Sequence, residues 1–136
     1  MICLDTNAVI VVLNRQSLAL RARVSASIEQ GLALSISAIV LFELRYGIAK
    51  SERPERNAKR IADFLTGMIT VLPFEPADAE EAGDVRAQLE QAGTPIGPYD
   101  LLIAAQARRR GALLVTANTR EFARVPGLKV EDWTLA

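Results

Sequence analysis

Residues 1–10 read MICLDTNAVI. Ile2, Cys3 and Leu4 form a short apolar run that suits a buried strand. Asp5 closes the run, and residues 7–14, NAVIVVLN, are apolar nearly all round, as in a helix covered on more than one side. Thr6 is placed to cap that helix. The same passage from strand to helix recurs downstream. Residues 32–36, LALSI, read as a second strand, and Ser37 caps the helix AIVLFELRYGIAK. ITVLPF at 69–74 is a third strand, cut by Pro73, and ALLVTAN at 112–118 is a fourth. LKVEDW at 128–133 is a last, short strand expected at an edge. Helices fill the intervals: residues 17–31, ending at Gly31; 54–67, entered through Pro54; 76–93, from Pro76 to Gly93; and 99–111, entered through Pro98 and left at Gly111. TREFAR at 119–124 is a helical turn. Strands alternating with helices predict an α/β chain with a mostly parallel sheet layered by helices.

The 136 residues predict one domain, 1–136, large enough to need no disulfide or metal staple. Half the residues are hydrophobic and 24% are charged, which is a globular composition. The longest apolar stretch is interrupted by serines and a glutamate and is too short to span a bilayer. No signal peptide is expected. One cysteine, Cys3, permits no internal disulfide and points to a cytoplasmic location. The chain has no histidine. That excludes Ser-His and Cys-His pairs, His general bases and His-bearing zinc sites. Any catalysis must rest on carboxylates, lysines, hydroxyls or a hard metal ion.

Net charge is zero, but its distribution is uneven. Bases dominate residues 45–60, acids dominate 75–90, and Arg108-Arg109-Arg110 closes a helix. Taken singly, these runs read as solvated helix faces.

In an open parallel sheet, ligands bind beyond the carboxyl ends of the strands. Asp5 ends the first strand, and Asn118 and Glu121 follow the fourth. Asp100 falls in the first turn of its helix, where the dipole favours an anion and holds it ionised. Glu43 has Ile39 and Val40 one turn earlier and Tyr46 and Gly47 one turn later, so it points along a face meant for burial. A carboxylate buried there needs a cation or a proton, and Gly47 leaves room beside it. Arg45 faces elsewhere on that helix. Glu121 reads equally as a capped turn with a solvated acid, and Asn118 as a turn residue or a partner of the acids. Several acids at one sheet edge without histidine point to Mg²⁺, with Mn²⁺ possible, held by oxygen ligands and several waters. Trp133 reads as core packing. With few aromatics, a nucleic acid would be held chiefly through its phosphates, by Arg45 and the arginines near helix termini.

LDTN at 4–7, FELRYG at 42–47, PIGPYDLLIAAQA at 95–107 and LVTANTREFARVPGLKVEDW at 114–133 resemble the PIN-domain ribonucleases, most of all the VapC-type toxins of toxin–antitoxin pairs. The blocks occur in family order and span nearly the whole chain. The resemblance implies a three-layer α/β/α fold and a Mg²⁺-dependent endoribonuclease that cuts RNA, such as tRNA or another structured RNA, with a metal-activated water. It assigns Asp5 and Asp100 as metal-ligand acids, Glu43 as the middle acid and Glu121 as a fourth, with Asn118 at an alternative place for that fourth role. Thr6, Asn7 and Thr116 match polar positions that support the acids. It also implies a homodimer and a small antitoxin that blocks the cleft. NAVIVVLN has more apolar faces than one core can use, which fits such a partner, although a fully covered core helix fits equally. An aspartyl-phosphate phosphatase or a phospho-receiver is the rival reading. Asn7, where a phosphatase carries a second aspartate, and the lack of a lysine among the acids count against both.

Overall fold

The structure, a computed structural model, describes residues 1–135. In chain order its elements are β1 (Ile2–Leu4), α1 (Thr6–Leu13), α2 (Leu18–Glu29), β2 (Leu34–Ser37), α3 (Ala38–Ala49) and α4 (Pro54–Leu65). They continue as β3 (Ile69–Leu72), α5 (Pro76–Gln91), α6 (Pro98–Arg109), β4 (Leu113–Val115), α7 (Thr119–Phe122) and β5 (Lys129–Glu131). The strands form one parallel sheet in the order β3-β2-β1-β4-β5, with β5 at an edge as expected. Helices flank it to give the three-layer α/β/α arrangement.

The chain builds outward from β1 through β2 to β3, then returns to the other side of β1 with β4. The strand order therefore reverses between β1 and β4, where Ile2 pairs with Leu113 and Leu4 with Val115. A crevice opens beyond the carboxyl ends of strands at such a reversal. Three helices begin at that edge. α1 and α3 follow β1 and β2 directly. α6 ends three residues before β4, turning through Gly111 at φ +63°, so it runs back along the sheet and starts at the carboxyl edge.

Local chemistry sets the helix starts. Ser37 Oγ accepts from the Ile39 N–H at 3.0 Å, as expected, and Pro54, Pro76 and Pro98 open their helices. The cap of α1 differs from expectation. Asp5 fills that place, its Oδ1 accepting from the Ala8 N–H at 2.8 Å, and Thr6 is the first helical residue. Both side chains are competent caps, but Thr6 uses its hydroxyl elsewhere.

Leu4, Val9, Ile36, Val40, Val85 and Leu114 form the middle of the core with no measurable exposure. Trp133 is buried with them, and the Arg23 guanidinium lies 4.5 Å from its ring centroid, so it packs as expected. α1 is not wrapped: Ala8 and Val9 are buried, but Ile10 is 37% exposed.

The acidic run of α5 is solvated at Glu75, Glu80, Asp84 and Glu90, as expected, but Asp78 and Glu81 turn to the arginines of α6. Asp78 is completely buried at the start of α5, and it accepts from Arg109 Nε at 2.5 Å and Arg110 Nη2 at 3.3 Å. Gln106 Nε2 and the Glu75 N–H also donate to it, at 3.2 and 2.8 Å. Arg108 bridges Glu81 at 2.9 Å and the Pro126 carbonyl at 3.1 Å. The antiparallel packing of α5 on α6 draws the two runs together, and the three arginines are spent on this clamp rather than free for phosphate.

Burial pushes the Asp78 pKa up, but the Glu75 N–H and the two arginines outweigh it, and the net shift is downward. Removing one partner of a buried ion cluster leaves the others uncompensated. Asp78→Ala should therefore lower stability by about 3–5 kcal/mol in urea melts near neutral pH. The depressed pKa makes this contribution present above the unfolded value, near ~3.9. It is lost as pH falls through the folded value, so wild type and variant should converge in acid.

Candidate active site

The crevice between β1 and β4 gathers all four predicted acids. Asp5 is 4% exposed. Desolvation raises its pKa, the Thr116 hydroxyl and the Ala8 N–H work in the opposite direction, and the charges of Glu43 and Asp132 push it up again. The net shift is upward. Asp5 does two things at once: it caps α1 through one oxygen and turns its charge towards the crevice.

Glu43 lies in the second turn of α3. The helix face around it is less buried than its neighbours in sequence suggest. Val40, Leu44 and Ile48 face the core, but Phe42 and Tyr46 are 51% and 61% exposed, and Glu43 itself is half-buried on the border. Its partner is not a cation but the Thr6 hydroxyl, which donates to Oε1 at 2.7 Å. That bond explains why Thr6 does not cap α1. It fixes the carboxylate and leaves its second oxygen for solvent or substrate. Gly47 leaves open space beside it, as expected: a Cβ there would meet no atom within 4 Å.

Asp100 sits in the first turn of α6. Its carboxyl is pushed up to about 6 by desolvation and then by the charges of Glu121, Glu43 and Asp5. Residues from three other segments thus act on one carboxyl. Glu121 is not a solvated acid. Its Oε1 accepts from the Gly97 N–H at 3.0 Å and its Oε2 from Asn118 Nδ2 at 2.5 Å. Glu121 is thus held by Gly97 and oriented by Asn118. Gly97 matters through the side chain it lacks. A Cβ there would lie 3.6 Å from Asp100 Oδ2 and 3.8 Å from Glu121 Oε1, so the two carboxylates border a single small space.

Thr116 is buried and serves two neighbours, accepting from the Asn118 N–H at 2.9 Å and favouring the ionised form of Asp5. Asn7 is exposed on the first turn of α1, and no hydrogen bond ties it to the acids among the described residues. Sequence reasoning missed Gly97, and also Asp132, which follows edge strand β5 and adds a negative field at Asp5.

The donor set suits a hard cation. It is all oxygen, the chain has no histidine, and burial pushes the Cys3 thiol up to about 11, so no thiolate competes. Among the described residues, no group of three or more Asp, Glu, Cys or His side chains is drawn together tightly enough to hold an ion unaided. Such openness fits Mg²⁺, which keeps several waters and takes only one or two carboxylates from the protein.

Residues 2–128 match the PIN domain family. The chain is 44% identical over 131 residues to the tRNA(fMet)-specific endonuclease VapC of Shigella flexneri, covering 96% of each chain. Its fold superposes on VapBC2 of Rickettsia felis, solved bound to a DNA fragment from the promoter, with a TM-score of 0.91 and 36% identity. That match covers 98% of this chain and 99% of the other. The DNA-bound VapBC of Salmonella typhimurium matches with a TM-score of 0.89 and 40% identity over the same shares.

The raised pKa of Asp100 has a consequence for the metal-free protein. Native Asp100 keeps its proton up to about pH 6, whereas the unfolded chain releases it near 3.8. The native state binds more protons in that window, so stability falls as pH rises through it. Asp100→Asn removes this contribution. In EDTA, urea melts at pH 7 should find the variant more stable than wild type, with the gap closing towards pH 4.

Proposed function

The chain belongs to the PIN-domain family, and we propose that it is a metal-dependent endoribonuclease acting as the toxin of a toxin–antitoxin pair. The observation that carries this reading is the convergence on Asp100 of the charges of Glu121, Glu43 and Asp5. Together with desolvation they raise the proton affinity of Asp100 in a crevice without histidine, and a cation entering there would relieve that repulsion.

We assign Asp5 and Asp100 as the ligands of Mg²⁺, with Mn²⁺ able to replace it. A divalent ion bound there would acidify a coordinated water and neutralise charge developing on phosphate oxygens. Glu43, steadied by Thr6, has an oxygen free to take the proton of the attacking water. Glu121, held by Gly97 and Asn118, completes the negative wall opposite Asp5. Thr116 keeps Asp5 ionised and aligned. The substrate is RNA, and the name of the Shigella relative supports tRNA or another structured RNA.

The reading has further parts, of which the antitoxin is supported by the VapBC structures. Residues 1–136 act as one nuclease domain, paired as a homodimer in the cytoplasm and held inactive by a small antitoxin. An apolar groove of about 260 Å³ between α1, α3 and α4, lined by Ile10, Leu13, Leu44 and Ile61, opens beside Glu43 and supports docking of such a partner. Among the described residues no helix is long and apolar enough to cross a membrane. The phosphoaspartate readings gain nothing from the site. Asp5 is nearly unexposed with one oxygen committed to the helix cap, a poor position for a nucleophile.

Purified protein incubated with total RNA should cut it in Mg²⁺, lose activity in EDTA and regain it on readdition. Asp5→Asn and Asp100→Asn should each reduce cleavage by at least about a hundredfold, with an unchanged circular dichroism spectrum. Full activity in either variant would contradict the assignment.

A further inference from the structure

The aromatic residues that look scattered in the sequence converge beside the acids. Phe42 and Tyr46 stand one turn apart on α3 and bracket Glu43. Tyr99 immediately precedes Asp100 in α6. The rings of Phe42 and Tyr99 lie 5.3 Å apart between centroids, tilted by 55°. All three side chains are open to solvent, Tyr99 at 46%. With Gly47 and Lys50 they wall a groove of about 570 Å³ that runs directly into Thr6 and Glu43. Lys50 Nζ stands 4.7 Å from the centroid of the Tyr46 ring.

We propose that this groove is a base-stacking subsite for a single-stranded nucleotide next to the phosphodiester that is cut. The proposal rests on the nuclease reading and adds to it the residues that grip the substrate. The groove and the reacting groups share Glu43. If that carboxylate acts on a phosphodiester, a neighbouring nucleotide has to lie against the rings. The tilted pair leaves ring faces exposed, and stacking on such faces accepts any base. Gly47 keeps the floor clear, because a Cβ there would project into empty space. Lys50, at the C-cap of α3, supplies positive charge at the rim. A second copy of the chain seated on this face would lie across Glu43 and close the approach that the reaction needs. The expectation of a grip through phosphates alone is thereby extended: the composition is poor in aromatics, but the fold brings both tyrosines of the chain to one place.

The test measures binding without cleavage. A short, fluorescently labelled single-stranded oligoribonucleotide is titrated with the full chain in EDTA and followed by anisotropy. Phe42→Leu, Tyr46→Leu and Tyr99→Leu should each weaken binding roughly 5- to 100-fold. Phe42→Tyr and Tyr46→Phe, which keep the ring, should bind as wild type does. An abasic residue at the stacked position should weaken wild-type binding similarly and make it insensitive to the leucine variants. Equal affinity of the three leucine variants and wild type overturns the subsite. Sedimentation of the same samples adds an independent readout. A dimer that dissociates in the leucine variants, with RNA affinity unchanged, assigns the face to a second copy and also overturns the proposal. Cleavage of total RNA in Mg²⁺ tests the nuclease reading separately. Cleavage with ring-independent binding sinks only the subsite, whereas neither cleavage nor binding sinks both.

Discussion

Repulsion among carboxylates at the carboxyl edge of the sheet is the constraint around which the rest is arranged. Asp5 is nearly buried, and its charge and those of Glu43 and Glu121 all bear on Asp100. In a low-dielectric crevice such charges interact far more strongly than in water. The chain also shows how it treats a carboxylate that it means to neutralise. Asp78 is fully buried, meets two arginines, and has its pKa lowered. Asp5 and Asp100 receive no basic side chain among the groups that move their pKa, and both are shifted upward. One fold therefore holds buried acids in two regimes, one balanced internally and one left negative. The second regime makes sense when the balancing charge arrives from outside.

What keeps that edge folded is a set of neutral donors. The Ala8 and Gly97 N–H groups, the Thr6 hydroxyl and the Asn118 amide each satisfy a carboxylate oxygen without cancelling its charge. All of them lie at the cap or in the first turn of a helix, where backbone N–H groups are free to serve. The destabilising edge is offset elsewhere, by a core centred on β1 and by the α5–α6 clamp. Departure from ideal local chemistry concentrated at one place, with support at a distance, is how functional sites usually stand in otherwise consistent folds.

Much of this was legible in the sequence, for identifiable reasons. Strand and helix alternation, the prolines that open α4, α5 and α6, the Ser37 cap and the acids at strand ends are local signals, and the structure follows them. Asp5 and Thr6 show where local reasoning stops. Either residue can cap a helix, and the choice was made by Glu43, which is 37 positions away and claims the Thr6 hydroxyl. Glu121 and Asn118 were ambiguous for the same reason, since the Gly97 N–H that fixes Glu121 lies 24 positions earlier. The arginine run of α6 looked solvated because its partners belong to α5. The exposure of Phe42 and Tyr46 was also hidden, because helical spacing gives the faces of α3 but not which neighbour, if any, covers each one.

Glu43 stands where two grooves meet. It lines both the apolar groove bounded by α1, α3 and α4 and the aromatic groove beside α6, and Ile10 and Gly47 are common to the two. Any group filling one groove therefore changes the surroundings of the same carboxylate that the other presents. Gly47 leaves this shared wall thin, with no side chain to separate the two spaces. A protein segment in the apolar groove would not have to cover Asp5 and Asp100 to disturb the site. It has only to draw Glu43 away from Thr6, or to extend past Gly47 into the space that a nucleotide would use. On the proposed reading, inhibition by a small partner and recognition of RNA would compete for one side chain, with no second conformation required.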